Sequence, residues 1–357
     1  MASIWERISG KTETRAEQPT IPTRAATIVT PETALSLTAV YRAVQIIATP
    51  ISKMNVDTFR YASGVGDMKI ENPLLVNKPS LTESRRDFFY ETVVSMATDG
   101  NAFWYKTLDG AGKVINLTVL PPYSVTVNWN NDRTQKIYYY MGNDVTGRVE
   151  HLRLFAKAGE LRGLSPIGSA YKDIAAAIDL RDYAANWFSA AGVPTGIIKS
   201  NRTITKDEAA IMTANWHNKQ QNRQTAVLGS GDSYEIVQLS PKDALFTDVQ
   251  NQAVQAIARL MGIPARLLLT STPGGSDTYS NLSDENQIFY RHTLTGYTDP
   301  IADALSNCLP RGTRVEFNFE SLFKADPASR FSMYNTALAG EAFMTVDEVR
   351  NKEGLNA

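Results

Sequence analysis

Apolar residues recur at helical spacing through much of this chain. Leu37, Val40, Tyr41, Val44, Ile47, Ala48 and Ile51 share one side of a helix expected to run from a cap at Ser36 to about Ser52. Val56 to Tyr61 then reads as a short strand that Gly64 and Gly66 turn back. Thr82 or Ser84 can cap a second helix carrying Phe88, Phe89, Val93, Met96 and Ala97. Asp99-Gly100-Asn101 stops it. Short strands are expected at Ala102 to Lys106, Val114 to Leu120, Val125 to Trp129, Ile137 to Met141 and His151 to Phe155, with a hairpin tip at Asp109-Gly110. Residues 35–155 therefore read as an α+β unit with a small, mostly antiparallel sheet.

Gly163-Leu-Ser-Pro-Ile-Gly168 breaks that pattern. Pro166 suits a first helical turn, and one helix is expected from there to about Ala191. Such a helix of about 25 residues spans roughly 40 Å. A small α/β insert follows. It has a strand at Thr195 to Ser200, a helix at Lys206 to Gln220 behind a Thr205/Glu208 capping box, and strands at Val227-Leu228 and Tyr234 to Leu239. A second long helix starts near Ser240-Pro241, carries Val249, Ala253, Ile257 and Leu260, and ends at Gly262. The small polar run Thr270 to Ser280 reads as an exposed loop. From Leu282 a further helix bears Tyr290, Leu294, Tyr297, Ile301 and Leu305. Gly296 and Pro300 predict a kink in it. Val315 to Phe319 is a strand. Two short helices close the chain, one from Asp326-Pro327 to Gly340 and one capped by Thr345 with Glu348 three residues on. Residues 1 to about 33 lack periodicity and read as a loose arm.

Composition narrows the class. A hydrophobic share of 43% and a charged share of 20% over 357 residues are those of a globular protein long enough for two or three domains. The formal net charge of -1 argues against a basic nucleic-acid binder. From Ser165 to Ile263 nine basic residues meet nine acidic ones, a balance that would not hold a polyanion tightly and that fits either an ordinary solvated surface or a passage that lets a polyanion slide. One cysteine, Cys308, leaves no intrachain disulfide and suits a reducing compartment. The start of the chain lacks the apolar core of a signal peptide. No run approaches the roughly 20 apolar residues of a membrane helix, so a soluble protein made in a cytoplasm is expected.

Catalytic chemistry is not visible. Gly163-Leu-Ser165-Pro-Ile167 departs from a nucleophile elbow at its last position and places proline after the serine. Gly274-Gly275 lacks the rest of a phosphate loop. His151, His217, His292 and Cys308 lie too far apart along the chain to suggest a metal site, and no cofactor is expected. The carboxylate pairs Asp284-Glu285 and Asp347-Glu348 fall near helix starts, where the helix dipole explains them.

The order of these segments resembles the portal proteins of tailed bacteriophages, of the Hong Kong ninety-seven type. The stretches that carry the resemblance are SLTAVYRAVQIIATPISKM, NPLLVNKPS, DGNAFWYK, LPPYSVTV, GLSPIGSAYKDI, GVPTGIIKS, the run from SPKDALFTDV to MGIPARLLL, TYSN at Tyr279, and AGEAFMTVDEVRNKEGL. They cover roughly Leu35 to Leu355. The resemblance implies an arm at 1–33, a wing at 34–162, stem helices at 163–193 and 241–264, a clip at 194–240, and a tunnel loop at 265–281. A kinked helix returning to the wing at 282–325 and a short helical crown at 326–357 complete it. It further implies a non-enzymatic homo-oligomeric ring, commonly a dodecamer, at one capsid vertex of the virion. Double-stranded DNA would pass through the ring without sequence preference during packaging and ejection. The implied partners are the terminase large subunit, the head–tail connector and the major capsid protein or scaffold. Thr270, Ser271, Thr272, Gly274, Gly275, Ser276, Asp277 and Thr278 would line the DNA channel. Lys219 and Arg223 would lie at the clip, either docking the motor or as solvated surface charge. Another neck or tail ring component, and a hydrolase with an unrecognised site, are the alternatives.

Overall fold

A computed structural model describes residues 28–62, 64, 66–188, 197–200, 204–221, 232–235, 246–268, 285–319, 327–339, 343–353 and 355. The first described element lies inside the expected arm. Thr30 caps a short helix α1, Pro31–Leu35, through a reciprocal bond with Thr33. Ser36 therefore ends α1 and does not start the next helix. The next helix α2, Thr38–Lys53, begins behind Leu37, which makes no side-chain cap bond. The apolar stripe of α2 is buried at Val40, Val44, Ile47 and Ile51, 0–3% exposed, but Tyr41, expected on the same side, is 58% exposed.

Strand β1, Asn55–Ala62, sits at the centre of a three-stranded antiparallel sheet between β2, Gly66–Ile70, and β11, Thr313–Asn318. Val56 faces Phe317 in that register. A short helix α3, Leu74–Asn77, leads to α4, Arg85–Asp99, which Ser84 caps by accepting from the Asp87 N–H. The single sheet expected for this region is three separate sheets. One holds β4, Val114–Leu120, β3, Asn101–Leu108, and β8, Val149–Arg153; another holds β5, Val125–Trp129, β6, Lys136–Tyr140, and β7, Asn143–Asp144. The third is the β1 sheet, which takes β11 from far along the chain.

The main core forms where α2 and α4 pack over these strands. Trp104 is fully buried, its ring 5.0 Å from that of Phe88, and its indole N–H donates to Thr92 Oγ1 at 2.9 Å. Phe89 meets Phe317 at 5.6 Å, tying α4 to β11. Each such buried ring or aliphatic group contributes about 1.5–3 kcal/mol relative to exposure. A smaller cluster of Phe103, Leu120, Val125, Val127 and Val149 joins the other two sheets.

The long helix expected from Pro166 is broken. Helix α5, Pro166–Ser169, ends at Ala170 (φ -107°, ψ 27°), and α6, Tyr171–Phe188, starts afresh. Ser165 caps the first turn by accepting from the Gly168 N–H, and Ile167 and Ile174 both bury in the core. Beyond α6, β9, Ile197–Ser200, pairs antiparallel with β10, Asp232–Glu235, beside α7, Lys206–Gln221. Helix α8, Phe246–Met261, packs against α2 and α6. The chain resumes as helix at residue 285 and passes through a π-helical turn, Tyr290–Leu294, into α9, Thr295–Asn307. Pro300 lies inside α9, so the departure from α geometry falls one to two turns before the expected kink. Helices α10, Pro327–Leu338, and α11, Val346–Glu353, are joined by Arg330 and Tyr334, which both bind Glu353, at 2.8 and 2.9 Å.

Candidate functional site

Three places position the parts that the sequence analysis assigned to function. The first is the joint where the β-rich unit hands over to α5 and α6. Gly100 ends α4 in the left-handed region (φ +79°), and glycine is needed there also because a Cβ would overlap the Leu164 carbonyl. The crossing of 98–101 with 162–165 is therefore backbone against backbone, and Asn101 satisfies it. Its amide nitrogen donates to Gly163 O at 3.1 Å and to Asp99 Oδ1 at 2.8 Å. Its oxygen accepts from the Gly163 N–H at 2.6 Å and from His151 Nε2 at 3.0 Å. With the Asn101 oxygen as acceptor, His151 carries its proton on Nε2, and Nδ1 accepts from the Tyr138 hydroxyl at 3.3 Å. His151 stacks on Phe103 at 4.3 Å. Burial first, then Lys136, Arg153 and Arg162, push its pKa down to about 3. Arg162 completes the joint, with Asp99 at 2.7 Å and the Val125 carbonyl at 3.0 Å. Ser165 Oγ donates to Thr98 O at 2.7 Å while capping α5, so this hydroxyl serves the joint.

The second place is the base of the segment between α8 and α9. Helix α8 closes in a Schellman motif: the Ile263 N–H bonds Ala258 O at 2.9 Å, the Gly262 N–H bonds Arg259 O at 3.3 Å, and Gly262 has φ +65°. Thr293 Oγ1 donates to Gly262 O at 2.6 Å. A single 3-10 turn, Ala265–Leu268, follows. From it Arg266 reaches across to Glu285 Oε2 at 2.6 Å and Asn286 Oδ1 at 2.9 Å. Glu285, read from sequence as a helix-dipole residue, is thus one end of a clamp that brings the two limbs of the segment together. The third place is the insert, where the Thr205/Glu208 capping box forms, with the Thr205 N–H donating to Glu208 Oε2 at 3.0 Å, and Lys199 pairs with Glu235 across β9 and β10.

Comparison with known proteins decides what this arrangement belongs to. The sequence profile described as phage portal protein matches residues 38–354. The chain belongs to the phage portal protein family. A probable portal protein of Streptomyces phage phiC31 is 24% identical over 92% of this chain and 76% of its own length. The portal protein of Enterobacteria phage HK97 is 24% identical over 91% of this chain and 80% of its own. In fold, the chain is similar to an HK97-family portal protein from Corynebacterium diphtheriae, with a TM-score of 0.61 at 15% identity, covering 84% of this chain and all of that one. It is also similar to a chain in the neck of a native gene transfer agent particle computed with C12 symmetry, with a TM-score of 0.63 at 19% identity, covering 90% and 91%. The protein is a portal protein of the Hong Kong ninety-seven type, and portal proteins are components of the virion capsid vertex.

On this portal chain the sequence-derived site residues fall as follows. Thr270, Ser271, Thr272, Gly274, Gly275, Ser276, Asp277, Thr278 and Arg223 lie outside the described residues, and so does the side chain of Lys219, whose backbone belongs to α7. The sequence reading did not single out Asn101 and Arg162 at the joint, Arg266 and Asn286 at the base of the segment, or the roles of His151 and Glu285 there. The Asp99-Gly100-Asn101 turn, the Gly163 break and the Asp284-Glu285 pair were legible, but not what they bond to. Among the described residues no cluster of three His, Cys, Asp or Glu could hold a metal ion. Among them, too, no helix is long and apolar enough to cross a membrane.

Proposed function

We propose that this portal chain assembles as a ring, of twelve copies, at one capsid vertex, and that double-stranded DNA passes through its centre during packaging and ejection. The observation that carries the reading is the family match over 38–354 together with the order of parts along the chain. The β-rich unit is the wing, α6 and α8 are the stem, the β9–α7–β10 insert is the clip, and α10–α11 are the crown. The segment 265–281 is the tunnel loop, and Arg266 near its start pairs with Glu285 just beyond its end. Thr270, Ser271, Thr272, Gly274, Gly275, Ser276, Asp277 and Thr278 face the DNA. Their small, mostly uncharged groups touch phosphates without creating a deep electrostatic well, which lets the duplex slide. The clip, with Lys219 and Arg223, docks the terminase large subunit and later the head–tail connector. The wing meets the major capsid protein or scaffold. No catalytic step is assigned to the chain. The test is packaging in vitro with terminase: procapsids assembled with the chain take up DNA, and procapsids assembled without it take up none. Equal uptake by both would overturn the reading.

A further inference from the structure

We propose that the π-helical turn at Tyr290–Leu294 is a register switch, in which Phe289 and Tyr290 compete for one place in the core and the Arg266 clamp selects Phe289. The apolar pattern slips by one residue there. Leu294, Tyr297, Ile301 and Leu305 are buried at α-helical spacing, and Phe289 is 3% exposed although it lies five residues before Leu294. At 3.6 residues per turn, positions five apart point about 140° away from each other, so an unbroken α-helix would bury Tyr290 instead, four residues before Leu294. The π-turn takes up the extra residue. The Thr295 N–H bonds Tyr290 O, five residues back, and the Thr295 hydroxyl serves the bypassed Arg291 O at 2.7 Å.

The competing register is close at hand. Tyr290 already packs, partly buried, against the same core, its ring 5.7 Å from that of Phe289. With the turn drawn back to α geometry, residues 285–289 rotate by about 100° and shift by about 1.5 Å relative to α9. Tyr290 then replaces Phe289, one aromatic ring for another of similar volume, and the Thr295 N–H takes Arg291 O. The same rotation carries Glu285 and Asn286 off Arg266, which holds them at 2.6 and 2.9 Å in the observed register. Thr293 Oγ1, bonded to Gly262 O at 2.6 Å, anchors the downstream side. Two anchors just beyond α8 therefore fix how many residues lie between them, and losing the Arg266 anchor frees the other register. A bistable element biased by one polar contact is the general form of a conformational switch. Nothing in it depends on ring assembly.

Deletion of His292, an exposed residue of the turn, removes the switch and keeps both anchors: Phe289 then stands four residues before Leu294 in a plain α-helix. Phe289→Leu and Tyr290→Leu are made in three full-length backgrounds: the parent, Arg266→Met, and Arg266→Met with His292 deleted. Urea unfolding gives the midpoint of each. In the parent, Phe289→Leu should lower the midpoint more than Tyr290→Leu. The order should reverse in Arg266→Met and revert when His292 is also deleted. Fluorine NMR of chains carrying 3-fluorotyrosine, with the Tyr290 signal assigned through Tyr290→Phe, reads the switch with both rings intact. That signal should move in Arg266→Met, and with His292 deleted it should be the same whether residue 266 is Arg or Met. An unchanged order of midpoints in Arg266→Met would overturn the proposal. So would a Tyr290 signal that Arg266→Met leaves in place, or moves equally with and without His292. A chain that no longer folds without His292 would overturn it too, because an extra residue can be removed only where the helix on either side already packs.

Discussion

Replacing Asn101 with alanine removes the group that satisfies the joint between the β-rich unit and α5. Asn101 is 1% exposed, and its amide bonds reach Asp99, His151 and both backbone polar atoms of Gly163. Alanine leaves the Gly163 N–H, the Gly163 carbonyl and the His151 Nε2–H without their partner. A buried polar group orphaned in this way costs about 1–3 kcal/mol. With a water admitted to serve one of the three, two remain and the loss is about 2–6 kcal/mol. Asn101→Asp is the informative control. It keeps the acceptor for Gly163 N–H and His151 but loses the donor to Gly163 O, and it sets a second carboxylate beside Asp99. It should cost as much as alanine despite its near-identical shape. Urea unfolding of the two variants, followed by far-ultraviolet circular dichroism at neutral pH, reads the midpoint shift. A shift equivalent to under about 1 kcal/mol in Asn101→Ala would refute the account of the joint.

The same joint sets a pH dependence. His151 has a folded pKa of about 3 against an ordinary 6.5, so the unfolded chain takes up its proton first as pH falls. Stability should be undiminished by this group above about pH 6.5 and decline between there and about pH 3, by an amount on the order of 4–5 kcal/mol in total; His151→Gln should flatten that part of the profile, and an unchanged slope would contradict the assignment. Arg266→Met should leave the unfolding midpoint within about 1 kcal/mol, because the Arg266–Glu285 pair is partly exposed. Proteolytic cleavage between residues 269 and 284 should nevertheless rise, and the charge-reversed pair Arg266→Glu with Glu285→Arg should restore resistance; equal cleavage in all three would remove Arg266 from its clamping role. Thr272→Lys should slow passage of DNA and make its rate salt-dependent, each added phosphate contact steepening the salt slope by about 0.9; a rate indifferent to salt would argue that this residue does not face the duplex.

What could be read from the sequence was local. The Thr205/Glu208 and Thr345/Glu348 capping boxes, the Ser84 cap and the Gly262 terminus all depend on residues a few positions apart, and the structure forms them. The apolar stripes of α2 and α4 were legible for the same reason. Long-range pairing was not. Nothing near Asn101 announces that its partners lie at His151 and Gly163, 50 and 62 residues on. The break at Ala170 was hidden because alanine favours the helix it interrupts; it falls one turn after the Ser165 cap, beside the buried Ile167. Glu285 looked like a dipole residue because its partner, Arg266, sits 19 positions earlier. Three sheets looked like one because strand lengths and turns fix hairpins but not which hairpins share a sheet.

Electron microscopy of the purified chain, with subunits counted in end-on views, tests the central claim most directly. The account predicts closed rings, twelvefold, with a central channel wide enough for duplex DNA and the α6–α8 pair running along its wall. Assemblies with no central channel, or with α6 and α8 remote from it, would contradict the account.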